Sequence, residues 1–248
     1  MSDQTESSQN SKWWTSPRFA ISGIVVVLLA VTGLILALSP TDEPVASQAP
    51  TAATPQPASP AAGSDSVCGL AAGSGQTLTK APQVSWEPIG ATDAPSSEKH
   101  GPGQIDETSG VRSCYSHTPE GALLAATNLL ASSADGELLL ETTRQQTVDG
   151  PGKTIALSQI QQRINEGGPG IPMQVSGFRM LSYSKDEATV EVVMSADDGT
   201  ELRHLTTGVD LVWQDGDWKS VLADDGTGGP VQGQVSDLSR YILWSSNG

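Results

Sequence analysis

Residues Phe19–Leu38, FAISGIVVVLLAVTGLILAL, run for twenty positions without a charge and are rich in Val, Leu and Ile. As a helix, that length covers roughly 30 Å of hydrocarbon, so the run predicts one membrane-spanning helix at 19–38. It divides the chain into a short start and a long remainder that folds separately. Trp13 and Trp14 stand just before it with Lys12 and Arg18, an aromatic belt and a positive flank that put residues 1–18 in the cytoplasm and the remainder outside the cell membrane. A secretory signal has the same order of parts, but with a shorter apolar region and a small-residue cleavage site. Ser47-Gln48-Ala49 offers only a weak site of that kind, and no lipobox precedes Cys68. The length of the run therefore favours an uncleaved anchor over a cleaved signal.

Asp3 and Glu6 cancel Lys12 and Arg18, so all of the formal net charge of -15 belongs to the exported part. An acidic surface repels phosphate backbones, and the exported part has no Lys/Arg cluster, which argues against direct nucleic-acid binding. Residues 39–66 follow with six prolines and almost nothing apolar larger than Val. That composition describes a disordered Pro/Ala-rich linker, and at about 3.1 Å per residue it reaches nearly 90 Å in an extended form. Cys68 and Cys114 both lie on the oxidising side, with no other cysteine to compete, so they are expected to form a disulfide across an irregular segment at 67–117. Zinc binding would need closer Cys/His spacing.

From residue 118 the periodicity becomes informative. In SHTPEGALLAATNLLASSADG, Thr118 is an N-cap, Pro119 takes the first helical position and Glu120 the first turn. Ala122, Leu123, Ala126, Leu129, Leu130 and Ser133 recur at three- and four-residue spacing, and Asp135-Gly136 stops the helix. Glu137–Gln146 reads as a second short helix, and LSQIQQRINEGG as a third ending at Gly167. Beyond Gly170 the period falls to two, with Val190, Val192 and Met194 alternating against Thr189, Glu191 and Val193. Strands are expected at Met173–Ser184, Ala188–Ala196, Leu202–Gln214 and Trp218–Ala223. The tail offers a last amphipathic turn or an edge strand through Leu238, Ile242 and Trp244. Helices first and an antiparallel meander after make 118–248 an α+β domain with helices covering one face of the sheet.

The stretch LVWQDGDWKSV sets two tryptophans around an acidic turn. With Asp215-Gly216 as a two-residue primed turn, Gln214 faces Asp217 and Trp213 faces Trp218, which alone explains the spacing. Hairpin closure and core packing are weighed above sugar stacking, and a calcium loop would need a longer run of oxygen ligands. Leu123, Met180, Val192, Leu211, Trp213 and Trp218 are the apolar residues expected at the centre, either as a pocket lining or as a filled core. His100, His117 and His204 fall in no metal or nucleophile motif and read as surface or capping residues. GPGQ and GTGGP lack the Lys-Ser/Thr of a phosphate loop. No catalytic residue, metal or cofactor is called for, and the expectation is a protein that is not an enzyme.

A short start, one membrane span, a Pro/Ala linker and then helices followed by a curved antiparallel sheet resemble bitopic proteins with a nuclear-transport-factor-like (cystatin-like) cone. The W-x-x-G-x-W form of the final hairpin in that fold is matched by Trp213, Gly216 and Trp218. The stretches Cys68-Gly69-Leu70 and Ser113 through Ala126 also resemble actinobacterial membrane proteins of integrative conjugative elements. The resemblance implies something similar to the TcpC-like scaffold subunits of conjugation channels of the type IV secretion class. Such subunits do no chemistry and contact protein partners, other copies of themselves included, in a membrane complex. This chain has one cone where those subunits can have two. The alternative is an extracytoplasmic lipid- or glycan-binding accessory module of the cell envelope.

Overall fold

The computed structural model describes residues 65–167, 173–197, 199–229 and 231–246. The expected cytoplasmic start (1–18), membrane helix (19–38) and nearly all of the linker (39–66) lie outside the described residues. Among those described, no helix is long and apolar enough to cross a membrane.

The stretch expected to be irregular holds two short hairpins: β1 (Ser85–Ile89) with β2 (Thr92–Ser96), and β3 (Gln104–Ile105) with β4 (Arg112–Ser113). Pro88 and Pro95 face Asp93 and Trp86 in the first of them, and prolines at such positions hide the strand signal while small edge strands tolerate them. Helix α1 (Pro119–Ala131) begins as its sequence predicts, with the Thr118 hydroxyl accepting from the Gly121 N–H at 3.0 Å. A 3-10 turn, Ser132–Ala134, follows. Asp135 does more than stop α1. Its carboxylate caps α2 (Gly136–Gln146) by accepting from the Leu138 N–H at 3.0 Å.

Helix α3 (Pro151–Asn165) starts well before the periodic run at Leu157. Proline at a first helical position loses no hydrogen bond, so Pro151 can open the helix. Gly152 lets the helix lie against the Ala223 carbonyl, into which an added Cβ would run.

The strands that follow are β5 (Gln174–Tyr183), β6 (Glu187–Asp197), β7 (Leu202–Gln214), β8 (Asp217–Val221), β9 (Val231–Val235) and β10 (Ile242–Leu243). They form one antiparallel sheet in the order β10-β5-β6-β7-β8, with β9 pairing β7 as well. Register shifts at Val175/Gly177 and Met180/Ser182 help to curl it. The fold of the described residues is therefore mixed, a curled antiparallel sheet with three α-helices. Val190, Val192 and Met194 of β6 point to α1 and share a core with Ala122, Leu123, Ala126, Val209, Leu211 and Trp218.

The opposite face of β6 carries Glu191, which is fully buried. A charge costs several kcal/mol to bury unless it is paired and hydrogen-bonded, and here both conditions are met. Arg179 Nη2 donates to it at 2.6 Å, and the Tyr241 hydroxyl donates at 3.2 Å. β9 lies beyond β7 and β10 lies beyond β5, so the chain between them crosses this outer face and brings Tyr241 over Glu191. Trp244 then turns into the core against Phe178 and Trp86, with ring centroids 5.5 and 4.9 Å away. Of the two tail conformations expected, the edge strand is the one formed.

Candidate functional site

The tryptophan hairpin folds in the expected register, Gln214 opposite Asp217 and Trp213 opposite Trp218. Asp215 and Gly216 both have positive φ, 55° and 79°, as a type I′ turn demands. The indoles meet edge to face at 5.4 Å. They differ in burial: Trp218 is sealed in the core with its indole N–H donating to the Ser116 carbonyl at 3.0 Å, while Trp213 is half-buried. His117 stacks flat on Trp213 at 4.0 Å and gives an Nε2 contact to the Lys185 carbonyl. It is 3 % exposed, which corrects its reading as a surface or capping residue.

Asp217 organises the region. Its carboxylate accepts backbone N–H groups from Cys114 at 2.7 Å, Tyr115 at 2.8 Å and Trp218 at 2.9 Å. Burial pushes its carboxyl above the ordinary range, and the three N–H donors only partly oppose that shift. Cys114 sits at φ 63°, which aims two consecutive N–H groups at one carboxylate. The disulfide Cys68–Cys114 is formed, with Cα atoms 6.1 Å apart, and a Cys68-flanking contact, Val67 N–H to the Gly216 carbonyl at 2.8 Å, docks its other end on the hairpin turn. Asp217 and the Trp218 indole N–H, the buried polar groups at this end of the hairpin, are thus committed to holding the chain together.

Two other polar clusters set a histidine beside hydroxyl groups. His100 Nδ1 lies 3.1 Å from the Ser116 hydroxyl and 3.2 Å from that of Thr118, and burial lowers its pKa most, with Glu120 raising it and Lys99 lowering it. Ser195 Oγ lies 2.6 Å from His204 Nδ1 and also contacts Ser176. That is a nucleophile–base spacing. No third group among the described residues orients His204, however, and Ser195 is 7 % exposed.

A groove of about 280 Å³ lies between the helices and the β7–β8 edge of the sheet. Leu129, Leu139, Ile160 and Val209 make apolar walls, and Gly226, Gly228 and Gly229 make a lip without side chains. A family model described as a domain of unknown function (DUF8175) matches residues 47–243. The chain belongs to that family. No curated protein and no solved structure matches it. The DUF8175 span takes in both cysteines, the hairpin, the groove and the tail as far as the end of β10.

Within that span the six apolar candidates converge. Leu123, Val192, Leu211 and Trp218 are buried in a single cluster, and Met180 and Trp213 pack against its edge. They fill a core rather than line the groove. Asp217, Glu191, Arg163 and the groove itself escaped the sequence. Only the position of Asp217, beside a hairpin tryptophan, carried any signal, and its partners lie about a hundred residues away.

Proposed function

We propose that this is a single-pass membrane protein, N-terminus cytoplasmic, whose exported domain acts as a non-enzymatic scaffold subunit of a conjugation or type IV secretion-like apparatus in an actinobacterial envelope. In this reading the curled sheet is a cystatin-like cone similar to those of TcpC-like subunits. The observation that carries the reading is the filled core: the hairpin tryptophans, His117 and Asp217 are all spent on internal contacts, which leaves the outer surface as the working part. The apolar run at 19–38 anchors the domain, and the linker gives it reach.

The test is crosslinking in intact cells followed by affinity purification of the full-length protein, with Trp218→Ala as a destabilised control. Co-purification of a secretion ATPase, a coupling protein or further channel subunits with the wild type alone is the expected result. Crosslinks to no protein would remove the scaffold reading. A second reading, an extracytoplasmic lipid- or glycan-binding module, draws its support from the apolar groove between α1–α3 and β7–β8.

A further inference from the structure

We infer that the groove between the three helices and the β7–β8 edge binds the hydrocarbon chain of a fatty-acid carboxylate, with Arg163 as its counter-charge. The inference rests on the second reading above and is independent of the scaffold partners. The groove floor is apolar and already buried at Val209, while Leu129 and Leu139 form the sides. The lip of Gly226, Gly228 and Gly229 keeps the entrance clear of side chains.

Charge then selects the head group. Arg163 is the one cation among the lining residues; it is exposed in the last turn of α3 and makes no ion pair among the described residues. Lys153, on the same helix, is held by Asp149 at 2.8 Å. Asp210 is the one acid among the described lining residues, and its carboxylate is turned to the other face of the sheet, accepting from the Thr189 hydroxyl at 2.7 Å. An amphiphile entering tail first therefore leaves its anion beside an unpaired guanidinium, with no facing carboxylate in the lining to repel it. The volume of about 280 Å³ falls just below the usual ligand range of roughly 300–1,000 Å³, which suits one chain rather than a two-chain lipid.

The experiment uses the full-length protein in phosphatidylcholine nanodiscs, photolabelled with dodecanoate carrying a terminal diazirine and, in parallel, with the matching photoreactive dodecanol. Labelled peptides are mapped by mass spectrometry. The expected result is label on peptides containing Ile160 and Val209, displaced by unlabelled dodecanoate. Arg163→Gln should weaken competition by the acid roughly tenfold and leave the alcohol unchanged, the size expected for one charge-assisted hydrogen bond.

Gly228→Leu fills the groove, at a position where an added Cβ meets nothing nearer than 3.8 Å, and should abolish labelling while the near-ultraviolet spectrum stays native. Label scattered over the surface, label that dodecanoate does not displace, or equal labelling of a natively folded Gly228→Leu protein would overturn the assignment. Equal affinity for acid and alcohol would overturn the role of Arg163. Crosslinked protein partners are read out separately, so failure here leaves the scaffold reading to its own test.

Discussion

Replacing Asp217 with alanine removes the shared acceptor of three backbone N–H groups. Those of Cys114 and Tyr115 belong to buried residues and are given to this carboxylate, while that of Trp218 lies next to the turn. A buried donor left unsatisfied costs about 1–3 kcal/mol, so two at the middle of that range lose about 4 kcal/mol. Releasing the carboxylate from its own burial returns about 1 kcal/mol, for a net loss of about 3 kcal/mol. At roughly 2–4 °C per kcal/mol for a domain of this size, the midpoint should fall by about 6–12 °C.

Asp217→Asn should lose about half as much. Its carbonyl oxygen still serves Tyr115 and Trp218, but its amide nitrogen meets the Cys114 N–H donor to donor. The assay is thermal unfolding of the full-length protein, followed by tryptophan fluorescence with the disulfide intact. An alanine variant within about 0.5 kcal/mol of wild type, or an asparagine variant worse than alanine, would refute the claim that this carboxylate ties the disulfide segment to the hairpin.

The same residue predicts a pH dependence: its folded pKa lies above its ordinary value of 3.8, so its share of stability is fully present below that value and declines as pH rises through the folded one. The gap between wild type and Asp217→Asn in urea unfolding should therefore narrow from pH 4 towards neutrality, and a widening gap would contradict the shift. Trp218→Ala should cost about 3–5 kcal/mol and half-buried Trp213→Ala about 1–2 kcal/mol by chemical denaturation, because only the first opens a cavity in the core. Reduction of the disulfide, which closes a separation of 46 residues, should lower stability by about 4 kcal/mol in the chain-entropy model, measured as a shift in urea midpoint with and without reductant. A chain stopped after Val235 loses Tyr241 and Trp244 and should be cut within β5–β6 by a protease under conditions in which the full chain resists.

What the sequence made legible was local. Thr118 and Pro119 announced α1, and a period of two announced β6 and β7. Asp215-Gly216 fixed the hairpin register because turn type and pairing are set by neighbours in the chain. What stayed hidden depended on distant partners. Asp217 read only as the partner of Gln214 beside the turn, with nothing to announce Cys114 and Tyr115, and His117 read as a surface or capping residue with nothing to announce its stacking on Trp213. The first turns of α3, before Leu157, carried no periodic signal, and the carbonyl that Gly152 approaches, that of Ala223, comes much later in the chain. Glu191 read as the polar half of an alternation, and only the returning tail shows it to be buried. The groove is equally non-local, since its walls come from all three helices and the last third of the sheet.

The crossing of the outer face by the tail sets the order in which this domain becomes complete. Strands β5 to β8 are finished by Val221, yet the central carboxylate, Glu191, receives its hydroxyl from a residue 50 positions later. Synthesis delivers a chain from its N-terminus, so the sheet emerges with one face open and Glu191, paired with Arg179, still short of the Tyr241 hydroxyl. The last segment to arrive is the one that closes it. Docking of that end on the outer face is therefore the event that commits the domain to its final form.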